Sequence, residues 1–228
     1  MHVPDGFINA PVSAGAGLVA AAGIAVCLRG ARRELDDRTA PMAGLVAAFV
    51  FAVQMLNFPV GPGTSGHLLG GTLAAILVGP YTGALCVAVV LLVQGIFFAD
   101  GGLTALGVNV VNMSLVTVVV GYLVFRVLTK ALPRGRSSVI GSAFSAALIS
   151  VPVSSLAFVG CYALGGTNDV SLGAVTTAMV GVHILIGIGE AVITGLTVGS
   201  IIAARPDLVY GASGIAPELE LRPSTATA

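Results

Sequence analysis

The sequence predicts an all-α membrane protein, a polytopic bundle of about seven transmembrane helices with the N-terminus outside and the C-terminus in the cytoplasm. Two properties of its 228 residues support this prediction: 56% are hydrophobic and only 9% are charged. Soluble domains carry about 25% charged residues, so this chain has too few charges to coat an apolar interior. The same shortage argues against a disordered chain and against nucleic-acid binding.

The individual spans follow from apolar runs that are separated by charges or by Gly and Pro. These runs cover residues 11–28, 42–58, 68–78, 81–99, 106–128, 139–164 and 172–203. A helix needs about 20 apolar residues to cross a bilayer. The run 68–78 is too short for this, so we expect it to be tilted, joined to the following helix, or only partly inserted.

The basic residues predict the orientation in the membrane. They lie in three groups: Arg29, Arg32, Arg33 and Arg38; Arg126, Lys130, Arg134 and Arg136; and Arg205 with Arg222. If the N-terminus is outside, every one of them is cytoplasmic, as the positive-inside rule requires. Residues 1–205 are then a single transmembrane domain, and we expect the polar residues 206–228 to form a disordered cytoplasmic tail.

The first residues, Met1-His2-Val3-Pro4-Asp5-Gly6-Phe7, carry a candidate metal chelate. The terminal amine, the backbone nitrogen of His2 and its imidazole Nδ1 can close two chelate rings around one ion. Removal of an initiator methionine requires a small second residue, so we expect Met1 to remain and supply the amine. One more imidazole would complete a square-planar set of four nitrogens, which is typical of Ni(II) or Cu(II).

His67 is the candidate for that fourth ligand. It ends the glycine-rich segment Gly61-Pro62-Gly63-Thr64-Ser65-Gly66-His67, which falls on the same predicted side as the N-terminus. A hydrogen bond to the second ring nitrogen would fix the tautomer of a ligating histidine. Ser65, Asn57 and Gln94 are the candidate partners for that bond.

Other polar residues lie within the predicted spans. His183 and Glu190 are seven residues apart, hence on nearly the same helix face, and a carboxyl group in a membrane span is costly enough to suggest a function. Glu190 could hold the bundle together, dock a partner, or serve a metal or proton path, and His183 could be a core histidine. Five residues carry side-chain amides: Gln54, Asn57, Gln94, Asn109 and Asn112. We expect them either to form one buried network that supports the N-terminal segment or to make separate interhelical hydrogen bonds.

The N-terminal segment Met1–Phe7 and the segment Gly63-Thr64-Ser65-Gly66-His67-Leu68 together resemble the signature of one family. This family is the cobalt/nickel substrate-binding (S) components of energy-coupling factor transporters. The similarity covers about residues 1–203 and includes Gly187-Ile188-Gly189-Glu190. The resemblance implies a helical protein of the bacterial cell membrane that holds its metal through Met1, His2 and His67. It also implies a transmembrane coupling subunit, two cytoplasmic ABC ATPases and a small accessory membrane subunit as partners. The transported substrate would be Co²⁺ or Ni²⁺, for cobalamin synthesis or for nickel enzymes.

Three functions therefore remain for comparison. The leading one is the metal-capturing subunit of an ATP-driven transporter. Lys130, the single lysine, lies outside any Walker A pattern, so we expect this chain to bind no nucleotide and its partners to hydrolyse ATP. The alternatives are an intramembrane enzyme that uses His183 and Glu190 as an acid–base pair, and a gradient-driven metal channel.

Overall fold

The computed structural model of the protein describes residues 1–37, 39–61 and 64–215. Most of this part of the chain is helical, and a single short antiparallel hairpin interrupts it. The hairpin strands are β1 (Phe58–Gly61) and β2 (Thr64–Gly66). The helices are α1 (Ala10–Ala31), α2 (Thr39–Gln54), α3 (Gly71–Val78), α4 (Pro80–Phe97), α5 (Leu106–Ala131), α6 (Arg136–Gly165) and α7 (Leu172–Ala204).

Five helices of the described chain are long and apolar enough to cross a membrane: α1, α4, α5, α6 and α7. Helix α2 has 16 residues and α3 has eight. The prediction of about seven transmembrane helices is therefore corrected to five full-length helices and two shorter ones. Hydropathy extends the second run to Phe58, because apolar residues continue past Gln54 into the first strand of the hairpin.

Helix α3 lies inside the bundle. All eight of its residues are buried, which matches a segment that is apolar on every face. Gly79, at φ 95°, is the single residue between α3 and α4. A Cβ on Gly83 would lie 2.6 Å from the backbone nitrogen of Ala75, so α4 packs directly against the backbone of α3. Within the predicted run 68–78, residues Gly71–Val78 therefore form a short helix that packs back against α4.

The chain alternates between two ends of the bundle. At one end, called the N-terminal end here, the first nine residues contact the loops after α4 and α6. For example, the Thr167 backbone N–H donates to the Phe7 carbonyl at 3.2 Å. At the other, the basic end, the Thr82 backbone N–H donates to Glu34 at 2.7 Å. The described basic residues lie at this second end: Arg29, Arg32, Arg33, Arg126, Lys130, Arg134, Arg136 and Arg205.

Residues 206–215, which the sequence assigns to a disordered tail, form two 3₁₀ turns, Pro206–Leu208 and Tyr210–Ala212. Val209 and Ala212 are buried, and Gly211 packs against the ring of Phe125. The apolar residues among the first ten of the predicted tail therefore attach it to the bundle. Residues 216–228 lie outside the described part of the chain. So do Arg38 and Arg222, two of the basic residues from which the orientation was predicted.

Candidate metal centre

The structure brings together the three residues that the sequence selects as ligands. Met1, His2 and His67 are all buried, with exposed fractions of 1%, 4% and 0%. The ring centroids of His2 and His67 are 4.5 Å apart, and the ring planes are tilted by 31°. The sulfur of Met1 lies 4.0 Å from the Ser154 hydroxyl, near the middle of α6. The chain terminus therefore lies inside the bundle.

Two side chains lie against the His2 ring: Gln94 in α4 and Asp100 in the loop after it. His2 Nε2 lies 3.2 Å from the Gln94 amide oxygen in the last turn of α4. An amide oxygen only accepts hydrogen bonds, so Nε2 is the donor and Nδ1 is the nitrogen available to a metal ion. Asp100 Oδ1 lies 3.1 Å from that Nδ1, without the alignment of a hydrogen bond. Asn57, which is exposed, donates to the other oxygen of Asp100 at 3.4 Å.

In His67 the nitrogen available to a metal ion is Nε2, whereas in His2 it is Nδ1. His67 Nδ1 donates to the Leu68 carbonyl at 2.8 Å, and this bond leaves the lone pair on Nε2. Among the described residues, Nε2 is buried without a hydrogen-bond partner. The partner that fixes the tautomer is thus a backbone carbonyl, rather than Ser65, Asn57 or Gln94. A buried imidazole nitrogen with nothing to bond is a group that a metal ion can satisfy.

Burial also makes the terminal amine a better ligand. Removal from water lowers the pKa of the Met1 amine from 8.0 to about 4, although the charge of Asp100 opposes this shift. The amine is therefore neutral at pH 7, with its lone pair free. Asp100 adds a carboxyl group 3.1 Å from His2 Nδ1, beside the cluster. Neutral nitrogen donors next to a carboxylate suit a divalent cation.

Side chains alone do not build a metal site in the described chain. These residues contain no group of three or more His, Cys, Asp or Glu side chains that could hold an ion. His2 and His67 supply two imidazoles, and further donors can come from the backbone. The terminal amine of Met1 and the amide nitrogen of His2 are the backbone groups that adjoin them.

The remaining predicted polar residues do not form one network. Gln54 donates to the Leu69 carbonyl at 2.7 Å, and Asn109 bonds the backbone of Val3. Asn112 is buried beside them in a π-helical stretch of α5, Val110–Val116, and its carbonyl accepts from Ser154. Ser65 pairs with Pro59 in the hairpin. Gln54 and Asn109 therefore support two different backbone segments, whereas the side-chain amide of Asn112 has no hydrogen-bond partner among the described residues.

His183 and Glu190 do not pair with each other. His183 Nδ1 donates to the Met179 carbonyl at 2.7 Å, while Glu190 accepts from the backbone of Leu69 and Gly70. Seven residues along a helix separate the two side chains by about 10 Å. Proton transfer needs hydrogen-bond reach, so the geometry does not support the acid–base pair of the enzyme hypothesis.

Sequence reasoning missed the roles of two aspartates. Asp100 pairs with His2, and Asp5 accepts from the Thr104 backbone N–H at 2.8 Å and from its hydroxyl. Both lie in the few acidic loop positions on the side of the N-terminus. That coincidence of acidic loop residues with the predicted metal-binding terminus was the available signal.

Comparison with known proteins gives a consistent result. Residues 2–208 match the family described as the cobalt uptake substrate-specific transmembrane region, CbiM. A metal transport protein of Haloquadratum walsbyi is 38% identical over 97% of this chain and 100% of its own length. The fused nickel transport protein NikMN of Archaeoglobus fulgidus is 43% identical over 92% of this chain and 68% of its own. The cobalt transport protein CbiM of Sorangium cellulosum is 32% identical over 92% and 94%.

The fold is also similar to a solved structure. The crystal structure of a truncated transition metal transporter superposes with a TM-score of 0.81 at 28% sequence identity. The match covers 89% of this chain and 99% of the other. The architecture described above is thus that of a known metal transporter.

Proposed function

The chain belongs to the family of cobalt uptake substrate-specific transmembrane regions, and from this membership and the geometry of the site we propose that it captures Co²⁺ or Ni²⁺ for an energy-coupling factor transporter. The observation that carries the proposal is the convergence of the Met1 amine, His2 and His67 inside the bundle. Both imidazoles leave a nitrogen available there. The metal is substrate in this proposal, and ATP hydrolysis belongs to partner subunits.

In the bound state the Met1 amine, the His2 amide nitrogen, His2 Nδ1 and His67 Nε2 would form a four-nitrogen set. The amide nitrogen binds only after it loses its proton, which would be released to the solvent. Such a set favours a planar Ni(II) geometry and also accepts Co(II). Asp100 would add a carboxylate next to the ion without replacing a nitrogen donor.

The orientation we propose places the N-terminal end outside the cell membrane and the basic end in the cytoplasm. Support comes from the separation of charges: the described Lys and Arg residues gather at one end, and Asp5, Asp100 and Asp169 lie at the other. A transmembrane coupling subunit, two ABC ATPases and a small accessory membrane subunit would act on the bundle. Residues 1–205 would then be the substrate domain, followed by a cytoplasmic tail.

Metal analysis of the purified protein, produced without any N-terminal tag, tests the binding part of this proposal. We expect one Ni²⁺ or Co²⁺ per chain, and we expect His67→Ala to lose the metal while it keeps its helical content. An unchanged metal content in His67→Ala would contradict the ligand set.

Uptake assays test the transport part. Cells that contain this chain with its coupling subunit and ATPases should accumulate labelled Ni²⁺ or Co²⁺, and an ATPase variant unable to hydrolyse ATP should abolish the uptake. Uptake by this chain alone, without an ATPase, would instead support the gradient-driven channel.

A further inference from the structure

We propose that Glu190 is a positioning residue for the metal: it holds the backbone next to His67, and thereby sets where His67 Nε2 meets the ion. The proposal rests on the function proposed above. Both carboxyl oxygens of Glu190 are in use, since Oε2 accepts from the Leu69 N–H at 2.6 Å and Oε1 from the Gly70 N–H at 2.9 Å.

The position of these two N–H groups explains why a carboxyl group is needed. They directly precede α3, and the first N–H groups of a helix have no partner within the helix. Glu190 lies near the middle of the 33-residue α7, so they are also far from either end of the bundle. Non-helical backbone at membrane depth requires partners from the protein, because lipid supplies none.

Gln54 bonds the other side of the peptide group between Leu69 and Gly70. Its Nε2 donates to the Leu69 carbonyl at 2.7 Å, so both backbone groups of Leu69 are bonded to side chains of other helices. The adjoining Leu68 carbonyl accepts from His67 Nδ1. The resulting clamp, formed by Gln54 from α2 and Glu190 from α7, fixes residues 68–70, and His67 is bonded directly to the fixed segment.

The clamp is also closely packed. Gly70 adopts φ 74°, and a Cβ there would lie 2.8 Å from Val50. Glu190 itself is 2% exposed. The segment therefore has little room to move while both clamp residues are present, and His67 Nε2 is held in one place. Outer residues that orient metal ligands typically change metal affinity by about 10–100-fold when they are substituted.

The chain offers a matched control for a test. Glu34, from the loop between α1 and α2, is buried and accepts from the Tyr81 and Thr82 N–H groups at 3.3 and 2.7 Å. It therefore makes the same kind of contact at the start of α4, but at the basic end. Helix α3, about 12 Å long, separates the two carboxyl groups. Glu190→Gln and Glu34→Gln each replace one accepting oxygen with an NH₂ group, which leaves a backbone N–H without a partner.

The experiment measures Ni²⁺ binding to the purified full chain with an unmodified N-terminus, by competition with a chelator. We expect Glu190→Gln to weaken binding by about 10–100-fold and Glu34→Gln to leave it at the wild-type value. At saturating Ni²⁺, the ligand-field absorption band should shift in Glu190→Gln and stay unchanged in Glu34→Gln. Thermal unfolding of the metal-free variants reports any general loss of stability.

Two results would overturn the proposal: wild-type affinity and spectrum in Glu190→Gln, or equal losses in both Glu variants. If Glu190→Gln does not fold, Gln54→Met, which removes the other arm of the clamp with little change in volume, takes its place. Wild-type affinity in Gln54→Met then also contradicts the clamp. A wild-type chain that binds no Ni²⁺ or Co²⁺ would overturn the proposed function itself, whereas the other results leave that function in place.

Discussion

Asn109 and Val3 exchange two hydrogen bonds across the bundle. The Val3 N–H donates to Asn109 Oδ1 at 2.8 Å, and Asn109 Nδ2 donates back to the Val3 carbonyl at 3.2 Å. One side-chain amide thus pairs with the backbone as a neighbouring β-strand would. The bonds lie one residue after His2, so they fix the direction in which the terminus enters the site.

Asn109→Leu should therefore release the N-terminal segment. It removes both bonds, each worth about 1 kcal/mol, and leaves the buried backbone of Val3 without partners. We expect the affinity for Ni²⁺ to fall at least about tenfold, as measured by chelator competition. Asn168→Leu, which changes an exposed asparagine at the same end, is the control and should bind as the wild type does. Equal affinities in the two variants would contradict the role of Asn109.

One residue added before Met1 should abolish metal binding. The amine would move away from His2 by one residue, and the added peptide would have to enter a space where Met1 is 1% exposed. The fold should survive, because the helices pack without the terminal amine. Metal content and thermal unfolding of the extended protein measure the two effects, and the same residue added after Ala228 is the control. Native affinity in the N-terminally extended protein would rule out the amine as a ligand.

Metal affinity should fall as the pH falls, because protons compete for the nitrogen donors. The folded amine has a pKa of about 4, lowered from 8.0, so it stays neutral down to that pH. Its own contribution to the loss should consequently begin near pH 4, whereas an exposed terminus would begin to lose affinity near pH 8. Ni²⁺ titrations across this range measure the curve. Affinity that still does not change well below pH 4 would exclude ligation by amine and imidazole.

Gly83→Ala should destabilise the contact between α3 and α4. The new Cβ would lie 2.6 Å from the nitrogen of Ala75, in backbone that cannot give way locally. Overpacking of this kind costs about 1–3 kcal/mol, and we expect thermal unfolding at a lower temperature. Gly44→Ala in α2, where a Cβ meets nothing within 4 Å, should instead stabilise the protein by up to about 1 kcal/mol. A stable Gly83→Ala protein would mean that α3 and α4 can separate at little cost.

The long helices could be predicted from hydropathy because lipid imposes one requirement on the whole length of each. The predicted run 172–203 and the helix Leu172–Ala204 differ by a single residue. Prediction failed between Met55 and Phe58, where the sequence remains apolar but the chain leaves helix α2 and enters the hairpin. The backbone that follows the hairpin, at Leu69 and Gly70, is bonded to Gln54 and Glu190 from other helices, and hydropathy carries no information about such partners.

The candidate ligands could be chosen from the sequence because the chelate at residues 1 and 2 is a local property of covalent geometry. The residues that support them are not local. Asp100 and Gln94 reach His2 across more than 90 positions, and only the packing of α4 on the N-terminal segment brings them there. The sequence also offered three partners for His67, whereas the bond goes to the next peptide.

The fastening of the N-terminal segment has a consequence for biosynthesis. The Asn9 N–H donates to the Gly165 carbonyl, and Thr167 bonds Phe7, so the N-terminal segment docks against residues that are synthesised much later. At about 20 residues per second, roughly eight seconds of translation separate the two. Throughout that interval the N-terminal segment lacks its hydrogen bonds to Gly165 and Thr167, although the partners of His2 have already been made. Complete docking of the N-terminal segment therefore waits until α6 and the loop after it have been synthesised.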